Sequence, residues 1–132
     1  MEDRYLFKAK RLDNEEWVQG ALFNGESHCI IGQEIKFSPY TEHECKIVGY
    51  EVDRDTICQC TCLKDKNGEL IWENDILVGY LDDMYPENAT YVQVIWDKNG
   101  FYTKEQDSDD ISLMDEFDEK YFEVCGNIFD NP

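Results

Sequence analysis

Basic residues are scarce in this chain of 132 residues, where 12 lysines and arginines stand against 30 aspartates and glutamates. The net charge is −18, and direct binding to nucleic acid is not expected, because the phosphate backbone would be repelled. The shortage is greatest after residue 66, since residues 67–132 carry a net charge of −14 and residues 1–66 a net charge of −4. Most of the repulsive field therefore belongs to the second half.

Long apolar runs are missing as well, so no membrane span is predicted. The opening MEDRYLFKAKR lacks the uninterrupted apolar segment of a secretory signal, which makes the cytoplasm the expected compartment. In that compartment cysteines stay reduced, and we interpret them as small apolar groups rather than as disulfide partners. The cysteines are Cys29, Cys45, Cys58, Cys60, Cys62 and Cys125.

The pattern that is present has a period of two. Apolar and polar residues alternate over short segments, which predicts strands at residues 4–12, 17–23, 28–31, 46–52, 56–63, 75–81, 91–96, 101–104 and 121–129. Residues 33–45 look irregular. A helix or short 3₁₀ turn is predicted only at residues 106–120, where Ile111, Met114 and Phe117 have near-helical spacing and acids at Asp107, Asp109 and Asp110 would favour its N-terminal end.

Two copies of one tetrapeptide mark predicted hairpin loops. Asp65-Lys66-Asn67-Gly68 recurs as Asp97-Lys98-Asn99-Gly100, each flanked by apolar residues. Aspartate begins a tight turn by bonding nearby amides, and Asn-Gly accepts a left-handed backbone.

These elements predict an all-β protein with at most one or two short helical turns. We expect residues 1–63 to form an N-terminal antiparallel β-meander. It would pack on a small SH3-like barrel of residues 64–132, because closing a small sheet removes its exposed edges. The two regions would form one compact unit.

The string Cys58-Gln59-Cys60-Thr61-Cys62 is the strongest candidate for a metal site. In a regular strand the three thiols would lie on one face, about 7 Å apart between neighbours. With His28, His43 or Cys45 they could supply the four ligands that zinc prefers, but the spacing differs from that of a zinc knuckle. Buried structural cysteines are the favoured interpretation, so we predict no metal site.

Catalysis and cofactor binding have no recognisable motif. The two histidines, His28 and His43, lie in no nucleophile motif, and no glycine-rich phosphate loop opens a helix. We therefore expect no enzyme, no catalytic residue and no cofactor.

Four segments, in order, resemble the YopX family of phage and prophage proteins. They are RLDNEEWVQG at 11–20, QCTCLKDKNG at 59–68, IWENDI at 71–76 and FEVCGNIFDNP at 122–132. The resemblance implies a phage- or prophage-encoded protein in a bacterial host, a mainly β fold and assembly into an oligomer. It implies no activity. One position departs from the family pattern, which has glycine before Leu-Lys-Asp where this chain has Cys62.

The function that we expect is that of a non-enzymatic accessory protein that acts through protein–protein contacts, with a homo-oligomer as the first candidate assembly. The alternative is an acidic decoy that imitates nucleic acid and occupies the binding groove of a host DNA-binding enzyme, because rows of carboxylates can imitate phosphates.

Overall fold

The structure is a computed structural model that describes residues 6–36, 45–80, 89–106 and 108–130. The chain divides into two compact units, Met1–Gln59 and Cys60–Pro132, where the sequence placed the boundary between residues 63 and 64. Strand β5 (Cys58–Lys64) runs from the first unit into the second. Most of the predicted irregular stretch, including His43, lies outside the described residues.

The first unit is an antiparallel meander of four strands, in the order β4-β3-β2-β1, with the start of β5 paired to β1. The strands are β1 Phe7–Lys10, β2 Trp17–Asn24, β3 Cys29–Lys36 and β4 Cys45–Glu51, followed by a 3₁₀ turn at Arg54–Thr56. The antiparallel strands that the period-two pattern predicted here are confirmed. The core of this unit consists of Ala9, Val18, Cys29, Ile31 and Val52, the last of which directly follows β4.

The third strand is longer than the sequence indicated. We expected irregular backbone from Gln33 onward, but Gln33 pairs with Val48 and Lys36 with Cys45. The prediction was wrong because β4 supplies the ladder hydrogen bonds that keep residues 33–36 extended, and such pairing leaves no trace in the local sequence.

The second unit contains an open, five-stranded antiparallel sheet in the order β10-β9-β8-β7-β11, and β6 pairs with β5. Its core consists of Ile71, Leu77, Val92, Val94, Met114 and Phe122. Its elements are β6 Leu70–Trp72, β7 Asp75–Tyr80, β8 Ala89–Asp97, β9 Gly100–Glu105, β10 Ile111–Leu113, α1 Glu116–Tyr121 and β11 Glu123–Asn127.

The mainly β fold is therefore confirmed, whereas the SH3-like barrel is not. Strands β10 and β11 are the two edges of the second sheet, and within the described residues they do not pair with each other.

The predicted helix at residues 106–120 is correct only from Glu116 onward. Ile111 and Leu113 belong to β10, where they pair with Lys104 and Tyr102 of β9. The helix begins instead after Asp115, whose side chain accepts a hydrogen bond from the N–H of Phe117 at 2.9 Å. Capping sets this start, and it leaves Asp109 and Asp110 outside the helix.

The two predicted hairpin loops are confirmed as turns, but their conformations differ. In the first, Gly68 takes the left-handed backbone with φ of 84°. In the second, Asp97 pairs with Gly100, so the two loop residues are Lys98 and Asn99, and Lys98 has the positive φ. The same four letters therefore form different turns.

Candidate functional site

The three clustered thiols do not share one face. Cys58 and Cys60 are buried, each 1% exposed, whereas Cys62 is exposed and has a φ of 70°. Between the pairs Cys60–Trp72 and Lys64–Leu70 the strand β5 carries extra residues, and this bulge turns Cys62 outward. The expectation of one cysteine face was therefore wrong.

The other proposed ligands lie elsewhere. His28 is exposed and its Nδ1 lies 2.8 Å from Oε1 of Glu51. Cys29 is buried, and its thiol donates to Oδ1 of Asn24 at 3.0 Å. His43 and the side chain of Cys45 lie outside the described part. Over the residues that the structure describes, no three histidine, cysteine or acidic side chains converge as metal ligands would.

A groove with a volume of about 630 Å³ lies on the surface of the second unit, among the residues that the structure describes. We call it the acidic groove. Val92, Tyr121 and Phe122 form its apolar floor, and Leu113 and Phe117 are its apolar walls. Four carboxylates line it as well, those of Glu105, Asp110, Asp115 and Asp118.

The aromatic rings fix the shape of this groove. Phe117 stacks on Tyr121 with ring centroids 5.1 Å apart, and Tyr121 meets Phe122 edge-on at 4.7 Å. Tyr121 also lies against Gly79 of β7, where an added Cβ would come within 2.8 Å of the ring carbon Cδ1. The floor is thus set by close packing that only glycine permits at this position.

Asp118 is the buried carboxyl of the groove, with 6% of its surface exposed. Its Oδ2 accepts a hydrogen bond from the N–H of Asp115 at 2.8 Å, which completes a capping box at the start of α1. Burial raises the pKa of Asp118 above its ordinary value, and the charge of Asp115 raises it further, while the hydrogen bond from Asp115 lowers it.

Exposed apolar side chains surround this end of the unit. Leu113 and Phe117 are both 62% exposed, and Ile111 is 38% exposed. All three belong to the edge strand β10 or to α1. Neighbouring apolar groups left in water at a sheet edge are typical of an interaction surface.

The first unit carries a smaller groove of about 390 Å³, whose lining includes two cationic side chains and the carboxylate of Glu16. Lys8, Arg11, Trp17 and Tyr50 line it. The Lys8 ammonium lies 4.8 Å from the Trp17 ring and the Arg11 guanidinium 4.5 Å from the Tyr50 ring, so the cations pack on aromatic faces. Arg11 also pairs with Asp13 at 2.5 Å.

Comparison with known proteins identifies the family of this chain. The family described as YopX protein matches residues 6–132. The chain belongs to the YopX family. A search of curated proteins found no match.

One solved crystal structure is similar in fold to this chain. The crystal structure of protein EF1440 from Enterococcus faecalis has 27% sequence identity to this chain and a TM-score of 0.61, covering 96% of this chain and 94% of its own. The similarity extends over nearly the full length of both chains. No helix among the residues described here has the length and apolar character needed to cross a membrane.

Sequence reasoning did not find the acidic groove. Its floor combines residues from β8, α1 and the segment before β11, which are separate in the sequence. The one local signal was the pair Asp115 and Asp118, whose spacing resembles a capping box. That spacing would have placed the start of α1 after Asp115 instead of at residue 106, but it gives no sign of a concavity beside the helix.

Proposed function

We propose that this YopX-family protein is a phage- or prophage-encoded accessory protein of the bacterial cytoplasm that acts through protein–protein contacts and not by catalysis. The observation that supports this most is the apolar edge formed by Ile111, Leu113 and Phe117. Leaving such groups in water costs free energy, at about 25 cal/mol per Å² of apolar surface, and a bound partner would recover it.

Self-association is the first contact to test. Sedimentation over a range of concentrations should show reversible assembly of the full chain. Replacing Leu113 and Phe117 together by serine should shift the equilibrium toward monomer. Leu12→Ser is the matched control, because Leu12 is a similarly exposed leucine, at 57%, in the first unit. A chain that stays monomeric at high micromolar concentration contradicts self-association.

A second candidate is the acidic decoy, which the charge distribution favours. With a net charge of −14 over residues 67–132, the protein would bind the basic groove of a host DNA-binding enzyme through charge complementarity. Such binding should weaken steeply as salt is added. Capture from host lysate at low salt tests it, and recovery of no nucleic-acid enzyme would contradict the decoy.

A further inference from the structure

Only one of the two carboxylate oxygens of Asp118 accepts a hydrogen bond from the described residues. Its Oδ2 is engaged by the N–H of Asp115, and within the described residues Oδ1 has no hydrogen-bond partner. No fully buried side-chain oxygen in that part of the structure lacks a partner, so Oδ1 must keep access to the groove that Asp118 lines. A hydrogen-bond acceptor on a buried carboxyl group therefore opens into the acidic groove.

Strand β10 offers backbone groups beside the same groove. The N–H of Met114 donates to the carbonyl of Phe101 at 3.0 Å. This hydrogen bond determines which backbone groups of β10 point toward β9. Because successive residues of a strand point their backbone groups to opposite sides, Ser112 faces β9, while Ile111 and Leu113 face the other side of β10. No strand among the described residues pairs with β10 on that side, which we call the open edge. An added strand could pair with these two residues.

The lining of the groove defines the side chains that such a strand must carry. Leu113 and Phe117 require apolar groups to cover them. The carboxylates of Glu105, Asp110 and Asp118 require a positive charge. A segment that alternates apolar and basic residues meets both requirements.

We propose that the acidic groove binds an extended segment of a protein partner, which adds to the β10 edge and places a lysine or arginine side chain against Asp118. The inference rests on the proposed function, since it names the site and the chemistry of the partner. Strand addition supplies affinity through backbone hydrogen bonds, and the groove supplies selectivity for side chains.

Asp118 should contribute more than the carboxylates at the rim. The fold has already removed most of the water around Asp118, so a cation meets a poorly hydrated carboxylate and a lower local dielectric. Asp110 is exposed, and water and salt weaken its attraction to a cation.

The test uses the full chain and three short synthetic peptides as probes, with alternating valine and lysine, valine and glutamate, or serine and lysine. Fluorescence anisotropy should show binding of the valine–lysine peptide and much weaker binding of the other two. Asp118→Asn keeps an acceptor for the cap and removes the charge, and it should lower affinity about tenfold. Asp97→Asn removes one exposed charge outside the groove and should leave affinity within about twofold.

A second pair of variants tests the edge. Ile111→Pro removes an N–H that faces the open edge, at the first residue of an edge strand, where proline is tolerated. It should abolish peptide binding, whereas Ile111→Ala should reduce it only slightly, and thermal unfolding should confirm that both variants fold.

Three results would overturn the inference. They are no binding of the valine–lysine peptide, equal effects of Asp118→Asn and Asp97→Asn, and equal binding of spermidine, which would make the groove a site for small cations. If the peptide fails but Ile111→Pro abolishes self-association in sedimentation, the occupant is a second copy, and the proposed function survives without this inference.

Discussion

The buried carboxylate of Asp65 accepts a hydrogen bond at 2.9 Å from the N–H of Val124, a residue of β11 that lies 59 positions further along the chain. Its other oxygen accepts from the N–H groups of Asn67 and Glu69, each at 2.9 Å. One side chain thus holds the β5–β6 turn and joins it to the last strand.

We predict that Asp65→Ala lowers the free energy of unfolding by about 2–3 kcal/mol, because three backbone donors lose a charged acceptor. Asp65→Asn should cost less, since an amide oxygen can replace only part of the carboxylate. Asp97→Ala is the matched control from the second copy of the tetrapeptide. It is exposed, and its loss should cost less than about 0.5 kcal/mol. Urea denaturation measures all three, and equal losses at the two aspartates would contradict the prediction.

The two copies of the tetrapeptide show which features of the fold can be predicted from the sequence. The tetrapeptide predicted two turns correctly, since Asp, Asn and Gly act through neighbouring backbone. The different roles of Asp65 and Asp97 could not be predicted, because the partner Val124 is remote in sequence. Ile111 was placed in a helix because its spacing to Met114 fits a helical turn, whereas its pairing with Lys104 depends on how β10 folds back on β9.

The candidate site was less predictable than the fold. The cysteine string was visible, but the bulge that exposes Cys62 depends on how β5 pairs with β6. The acidic groove depends on the stacking of Phe117 and Tyr121 beside the sheet. Composition indicated an acidic second half, and only tertiary packing creates a concavity there.

Gly79 and Tyr121 provide a prediction about the groove floor. A Cβ at residue 79 would collide with the Tyr121 ring, so Gly79→Ala should lower the free energy of unfolding by about 1–3 kcal/mol. Gly100→Ala in the same sheet is the control, because its Cβ would meet Leu113 at an ordinary 3.6 Å. Thermal or urea unfolding measures both. An undisturbed Gly79→Ala variant would show that the ring does not occupy the position described.

Cys62 provides a stabilising prediction. It has a φ of 70°, which lies in the left-handed region that favours glycine. A non-glycine residue in the left-handed region destabilises the folded chain by roughly 1–2 kcal/mol. Replacing it by glycine removes this strain, but glycine also makes the unfolded chain more flexible, which offsets part of the gain. Cys62→Gly should therefore raise the free energy of unfolding by up to about 1 kcal/mol. Cys62→Ala keeps the Cβ and should give no gain, and an equal gain in both variants would assign the effect to the thiol.

The last prediction concerns the pH dependence that Asp118 imposes. Because burial raises its pKa above the ordinary 3.8, the folded chain holds this proton at pH values where the unfolded chain has lost it. The free energy of unfolding should then fall as pH rises from 3.8 through the raised pKa of Asp118. At pH values above that pKa the stability contributed by the bound proton is lost in full.

Asp118→Asn cannot titrate, so its stability relative to the unaltered chain should improve as pH rises through that window. Urea denaturation at a series of pH values measures the difference, and carbon NMR of the Asp118 carboxyl reports its pKa directly. Asp97→Asn should show no such trend, because Asp97 is exposed. Parallel pH profiles for Asp118→Asn and the unaltered chain would contradict the prediction. They would mean that the Asp118 carboxylate is as well hydrated in the folded protein as in the unfolded chain. Asp118 would then have no advantage over the rim carboxylates in binding a cation.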